Sequence, residues 1–453
     1  MAKGNGSASN SLHQQIEIKI VDFLRSTSPE ELNAEFPDNT DGVTAWYYTN
    51  HEWKVGDEDR SQWLLMLDET AVRFFQLTEF VFEQMTKSKP NEKSNSGVLI
   101  SENSVTEVLI SCIARFAWHS INIGITDTNQ FVRRFLNETL FSTPRPFVLL
   151  MPVYGLTTES AVLFRNGQYS RPKELTEYVE RLKRLKKHAD IGLPDPESED
   201  MNSGRDVVVR VVCLARFQEE AMDIGMRLIS NDLAILRYGS TRQYRGGLHL
   251  ASPGITNLTK ERPSIATMVF DGQGKGNTYP GGYKRQGMSP LKLQAWTSSK
   301  WAEAVSTADK ISEAKKQTVA TKFLDAMTWL GRAVDITDEA TRLLFQVTAL
   351  EALLPLDGKE EKVHQVSLLT TVLGEFAGYP RKETYELIKR AYSVRSEIVH
   401  GSRMTTSKYE PDRIQRLLDR IMDFLLFNEQ GKEMLSLSGD AFRLKLMEKL
   451  FEK

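Results

Sequence analysis

Arg395, Ser396 and His400 lie in the stretch Ala391-Tyr-Ser-Val-Arg-Ser-Glu-Ile-Val-His-Gly401, where side chains suited to phosphate chemistry meet at helical spacing. Arginine offers a fixed fork of donors matched to phosphate oxygens. Histidine titrates near neutral pH and can take or give a proton. Cutting RNA at a ribose phosphate needs three services: help in deprotonating the 2′-hydroxyl, stabilisation of the charge gathering around phosphorus, and protonation of the departing 5′-oxygen. One arginine and one histidine per chain suffice if two chains pool them across a two-fold axis. Laid on a helix, Ile388, Ala391, Tyr392, Ile398 and Val399 form one apolar face, with Arg395 inside it. An unpaired buried guanidinium costs several kcal/mol or more, so Arg395 must be paired, line a cavity or face a partner. His400 falls about 140° around the same helix. The two side chains therefore converge only through a second copy or a bend at Gly401.

The surrounding residues offer helpers, each with a plainer alternative. Glu351 sits at the edge of the Leu343/Val347/Leu350/Leu354 stripe, where it could pair with Arg395, orient His400, or be a surface carboxylate with a packed stem. Ser396 could contact phosphate or be solvated. Glu397 precedes His400 by three residues and could hydrogen-bond the imidazole. Tyr392 reads either as core packing or as a platform for a base.

Arg-polar-x-x-x-His on a helical C-terminal segment, joined to Ala349-Leu-Glu-Ala-Leu-Leu354 upstream and Gly401 downstream, resembles the HEPN superfamily, in particular its Apea-like branch. The resemblance covers about the last third of the chain. It implies an all-α bundle that dimerises and acts as a metal-independent endoribonuclease leaving a 2′,3′-cyclic phosphate and a 5′-hydroxyl. Arg395 would clamp the scissile phosphate, His400 would act as general acid or base, and Glu351 and Ser396 would assist. Tyr392, Arg403, Lys275 and Arg285 are the accompanying candidates for RNA contact. No cofactor and no metal is implied. The partners would be RNA (tRNA, mRNA or rRNA), a second copy through the HEPN domain, and a phage-derived or cellular trigger at the N-terminal region, in keeping with a toxin, abortive-infection or anti-phage effector. Other members of the superfamily have lost catalysis. A non-catalytic dimerisation or RNA-binding scaffold with ligand sensing in the N-terminal region is therefore the alternative. An enzyme in the N-terminal region with the bundle as accessory is a third, without a recognisable catalytic constellation.

Elsewhere the signals are weaker. Gly272-Gln-Gly-Lys-Gly-Asn-Thr278 evokes a phosphate loop, but Gly276 stands where a Walker motif needs Ser or Thr. The basic run from Arg171 to His188 reads as a solvated face or a guide for an RNA backbone. Arg237, Arg242 and Arg245 with Tyr238 and Tyr244 mix cations and rings as a single-strand binder would. His13, His51, His119, His249 and His364 show no metal-ligand spacing, and Cys112 and Cys213 fit buried thiols.

The chain of 453 residues has room for two or three cores. Its 58 Lys and Arg nearly balance 60 Asp and Glu, for a net charge of −2, so nucleic-acid binding must come from local patches. No run reaches about 18 apolar residues, so the sequence reads as cytoplasmic, with no membrane partner. Residues 1–11 read as a disordered tail and 12–24 as apolar but ambiguous, since Ile16, Ile18 and Ile20 alternate. Helices are predicted at 68–86, with Val72, Phe75, Phe82 and Met85, and at 104–123, with a Ser104/Glu107 capping box. From 145 to 270, apolar runs at 147–153, 161–165, 206–217, 233–238 and 265–270 predict strands, with helices at 171–188 and 217–230. Residues 271–300 form a Gly-rich linker or loop. After 301 the pattern is helical, with Thr337 as an N-cap before Asp338 and Glu339 and Pro411 opening a last amphipathic helix. The expected class is α+β: a mixed α/β region over 12–270, with a possible break near 145, then an all-α HEPN-like bundle over 301–453.

Overall fold

The structure is a computed structural model of the chain. It describes residues 6–27, 43–47, 53–55, 58–60, 63–87, 127–171, 207–243, 254–255, 267–271, 276–279, 291–356, 362–400 and 409–451, apart from 316, 335 and 337. Between 105 and 120 it describes scattered positions, all of them helical. The class is α+β and mostly helical, and the strands among the described residues lie within the first 300.

Residues 6–11, expected to belong to a disordered tail, are the first turns of helix α1 (Gly6–Arg25). Ile16 and Ile20 are buried one turn apart while Ile18 points outward. The apparent alternation is thus half of a helical stripe. Short strands β1 (Val43–Tyr47), β2 (Trp53–Val55), β3 (Glu58–Arg60) and β4 (Trp63–Leu67) pair locally, β1 with β4 and β2 with β3. Helix α2 (Asp68–Lys87) follows, and it buries Phe74, Leu77 and Val81 rather than the expected Val72 and Phe75, both about half exposed. These helices, the helical positions around Val108 and Cys112, and α3 (Thr128–Glu138, capped by Asp127) enclose one hydrophobic core. The predicted helix at 104–123 matches those positions, whereas Ser104 and Glu107 lie outside the described residues.

A second, larger core begins at the sheet. Strands β5 (Arg145–Tyr154), β6 (Leu156–Thr157), β7 (Val162–Phe164), β8 (Gly167–Ser170), β9 (Val207–Ala215), β10 (Gly254–Ile255), β11 (Thr267–Asp271) and β12 (Gly276–Tyr279) follow in sequence. The main sheet runs β12-β11-β5-β9-β8-β7, all antiparallel, with β10 added on β5. Phe147, Leu149 and Met151 of β5 and Val209, Val211 and Cys213 of β9 turn one face inward, as period-two alternation requires. Burial pushes the Cys213 thiol up to about 12, so this thiol stays protonated.

Helix α4 (Gln218–Gln243) lies on that face. The expected strand at 233–238 is part of it. Leu233, Ala234, Ile235, Leu236 and Tyr238 are all buried because the helix is covered by sheet on one side and by other helices on the other. A helix buried all round loses its periodic signature. The expected linker at 271–300 also contributes structure: β12, then β13 (Leu291–Lys292) parallel to β6, then α5 (Leu293–Thr297), whose Trp296 is fully buried. One continuous core therefore runs from the sheet into the helices that follow.

Those helices are α6 (Lys300–Ala314), α7 (Val319–Val334), α8 (Glu339–Leu353), α9 (Lys362–Phe376), α10 (Arg381–Val399), α11 (Tyr409–Phe427), α12 (Glu429–Leu435) and α13 (Gly439–Phe451). Helix α7 crosses α4 at backbone contact: a Cβ on Gly331 would collide with the Ala234 carbonyl. Asp338, one residue later than predicted, caps α8 by accepting from Thr341 N at 2.8 Å. The Thr341 hydroxyl and amide hold this carboxyl below the usual range. Leu343, Val347, Leu350 and Leu354 are buried as predicted, and Pro355 follows the end of α8. Pro411 sits in the first turn of α11, whose Ile414, Leu417, Leu418, Ile421, Met422, Leu425 and Leu426 are buried. No helix among the described residues is long and apolar enough to cross a membrane.

Candidate functional site

Helix α10 presents the motif. Thr384, Leu387, Ile388, Ala391, Tyr392 and Val394 are its buried residues, while Val399, expected on the apolar face, is 57% exposed. The buried stripe passes through Val394, which puts Arg395 at its edge rather than within it. The side chain of Arg395 is 33% exposed.

Three side chains converge on Glu351 of α8. The Tyr392 hydroxyl donates to Glu351 Oε1 at 2.7 Å. Arg395 Nη2 stands 3.8 Å from that same oxygen, too far for a hydrogen bond. Lys362, the first residue of α9, donates from Nζ to Glu351 Oε2 at 2.8 Å. The carboxylate side chain is 13% exposed, whereas the lysine is 56% exposed. An inward carboxylate thus carries two outward cations. The Tyr392 ring is buried, with the Arg395 guanidinium 6.0 Å from its centroid. Burial, then the Glu351 hydrogen bond, keeps its hydroxyl protonated far above its usual titration. The expectation that Tyr392 stacks on an RNA base is therefore corrected: a buried ring has no free face to offer, and its hydroxyl serves Glu351.

His400 is the C-cap of α10, with φ −86° and ψ 5°, and its backbone N–H donates to the Ser396 carbonyl at 3.0 Å. Its side chain is exposed, as is that of Ser396. Glu397 Oε1 accepts from Ser393 Oγ, one turn back, at 3.3 Å. The structure thus brings Glu351 to Arg395 and leaves Ser396 and His400 on the solvent side of the same helix end. Lys362 was not singled out in the sequence. It follows a charged Lys/Glu run, and nothing in its spacing marks it as a partner of Glu351. Arg403, Lys275 and Arg285 lie outside the described residues, as does the run 172–188.

The mixed basic and aromatic group on α4 proves to be interior. Arg242 donates from Nη1 to Asp419 Oδ2 at 2.6 Å and from Nη2 to Asp423, and Tyr238 donates to Asp419 Oδ1 at 2.9 Å. The Arg242 side chain is 4% exposed, and Arg237 donates to the Gly331 carbonyl. These residues join α4 to α11 and α7, and the Arg242 guanidinium, closed between two aspartates, is not offered to a nucleic acid. Tyr244 and Arg245 lie outside the described residues.

Two surface concavities on the bundle include no motif residue. One, of about 420 Å³, is lined by Glu375, Phe376, Gln430, Lys445, Glu448 and Lys449. The other, of about 140 Å³, is lined by residues of α10 and α11 with Tyr379. Among the described residues no group of three or more His, Cys, Asp or Glu is placed to hold a metal ion. Comparison with protein-family models, characterised proteins and solved structures finds no match for this chain.

Proposed function

We propose that the protein is a metal-independent endoribonuclease of HEPN type that acts as a homodimer through its C-terminal helical bundle. The observation that carries this reading is the pairing at the end of α10. Arg395 is held 3.8 Å from Glu351 with its fork partly exposed, and five residues on His400 caps the helix with an exposed imidazole. In the proposed reaction the 2′-oxygen of one ribose attacks the adjacent phosphorus while His400 receives its proton. The 5′-oxygen departs with a proton returned from a histidine, leaving a 2′,3′-cyclic phosphate and a 5′-hydroxyl. Arg395 donates to the phosphate oxygens as charge accumulates on them. Since both residues sit on one helix about 140° apart, a second copy supplies the facing set. The elements before residue 300 would then sense a phage-derived or cellular trigger in a cytoplasmic toxin or defence effector.

The contacts of Glu351 within one chain favour a second reading, a non-catalytic dimerisation or RNA-binding scaffold in which Arg395 only joins α10 to α8. One experiment separates the two. Purified wild-type protein is incubated with total RNA in excess EDTA beside His400→Ala. Cleavage by wild type alone, with 2′,3′-cyclic phosphate ends, supports the nuclease. Equal cleavage by both, or cleavage that needs added Mg²⁺ or Mn²⁺, overturns it.

A further inference from the structure

We propose that Lys362 is a second phosphate-binding cation of this site, and that Glu351 is the positioning residue that holds it beside Arg395, so that the site grips two neighbouring phosphates of one RNA strand. This rests on the ribonuclease reading and adds a binding residue to it. Both cations rest on a single carboxylate: Lys362 Nζ is 2.8 Å from Oε2 and Arg395 Nη2 is 3.8 Å from Oε1. Their spacing is therefore set by one side chain. The Tyr392 hydroxyl, 2.7 Å from Oε1 and buried beneath, fixes the carboxylate's orientation. At this carboxylate two cations meet one anion, and the anion is the more buried partner, so both cations lie on its solvent side. Ammonium and guanidinium both keep donors that Glu351 does not take.

A role in helix stability explains Lys362 poorly. It lies in α9 (Lys362–Phe376), and its ammonium reaches back to the Glu351 carboxylate of α8 rather than to a group of its own helix. The lysine itself is 56% exposed, so solvent screens its attraction to the carboxylate and limits what the pair adds to stability. A lysine held on a buried carboxylate next to an under-coordinated arginine is, in contrast, a preformed seat for a polyanion: most of its side-chain freedom is already lost before the ligand arrives. Arg395 would engage the phosphate that reacts, and Lys362 the phosphate next along the strand.

The test uses the full chain and a short fluorescein-labelled single-stranded RNA of mixed sequence. Binding is measured in a His400→Ala background across a salt series, and cleavage in the otherwise wild-type protein. Lys362→Gln should weaken binding several-fold and make the slope of log K against log salt shallower by about 0.7, the share of one phosphate contact on a single strand. Lys362→Arg should restore the slope. In cleavage, Lys362→Gln should raise KM more than it lowers kcat, the reverse of Arg395→Ala. Because Lys362 is exposed, the melting temperature of Lys362→Gln should match that of wild type, so a binding loss is not a folding loss. An unchanged salt slope and KM in Lys362→Gln, while wild type cleaves, overturns this inference and leaves the nuclease standing. If wild type neither binds nor cleaves the RNA, both fall together.

Discussion

Arg242 and Arg395 are built from the same parts and end in opposite states. Each follows a tyrosine by one helical turn, and in each case that tyrosine donates its hydroxyl to the carboxylate paired with the arginine: Tyr238 to Asp419, and Tyr392 to Glu351. The third member differs. At Arg242 it is a second carboxylate, Asp423, so two anions close on one guanidinium that is 4% exposed. At Arg395 it is a second cation, Lys362, so one carboxylate is shared and the guanidinium stays 3.8 Å away and one-third exposed. The first arrangement commits both terminal nitrogens to joining α4 to α11 and buries the rest of the guanidinium. The second leaves guanidinium and ammonium donors at the surface. What an arginine does here depends on the sign of the third partner.

The largest expected effect breaks the comparison at its functional end. His400→Ala should lower RNA cleavage by about 10²–10⁴-fold and Arg395→Ala by about 10²–10³-fold, each with little change in melting temperature. A large fall in melting temperature for Arg395→Ala would move it into the same class as Arg242. At the structural end, Arg242→Ala strands two carboxylates and should cost about 3–5 kcal/mol of stability, read by denaturant unfolding. RNA cleavage measured where the variant is still folded should match wild type.

These two arginines also mark how far the sequence could be read. Both looked like candidates for phosphate, because a sequence shows an arginine near a tyrosine but not the helix that will lie against it. Asp419 and Asp423 are 177 and 181 residues away from Arg242. Helices α7, α8 and α11 were legible because each buries one stripe on a common core. Those stripes, through Val347 and Leu350 in α8 and through Leu417 and Ile421 in α11, recur at the helical period. The first half of α4 was legible as the helix predicted over 217–230; its second half was not, since Leu233 to Leu236 are buried in succession and the 233–238 run has the length and composition of a strand. Glu351 was legible as the edge of a stripe, and Lys362 was invisible because its partner lies 11 residues back, on the preceding helix. The α10 face was misjudged by one position, with Val394 inside and Val399 outside, a shift that the helix's own amphipathic pattern leaves open.

A third arginine sharpens the rule that anions close a site. Arg165, in the left-handed region at φ 46° in the β7–β8 turn, pairs with Asp309 of α6 at 3.0 Å and stands 3.6 Å from Asp232 of α4. Asn166 donates to Asp232 from its backbone N and Nδ2. Burial pushes the Asp232 carboxyl up to about 7 against the opposing pull of Arg165 and Asn166. Its folded value thus lies above its unfolded one, so the folded state holds the proton more tightly. Stability from this group is complete below about pH 4 and is lost as pH rises through the window to about 7. Asp419 and Asp325 are raised by burial too and act in the same direction. Melting temperature should therefore fall between about pH 5 and about pH 8, and Asp232→Asn should flatten that fall. A melting temperature that rises across this range, or an unaltered slope in Asp232→Asn, would contradict the assignment.

The smallest effect is the most discriminating, because it changes the same atom in both settings. Tyr238→Phe and Tyr392→Phe each remove one hydroxyl donated to a carboxylate, worth about 1.5–3 kcal/mol as a hydrogen bond to a charged group and less where other donors remain. Asp419 keeps Arg242 and Gln415, so Tyr238→Phe should register as a modest loss of stability and nothing else. Glu351 keeps Lys362 alone at hydrogen-bond distance, and its Oε1 is then free to turn toward Arg395. That would shorten the 3.8 Å separation and close the guanidinium in the manner of Arg242. Tyr392→Phe should therefore reduce RNA cleavage several-fold through kcat at a similarly small cost in stability. If both variants lose the same stability and neither alters cleavage, the openness of Arg395 has no functional meaning.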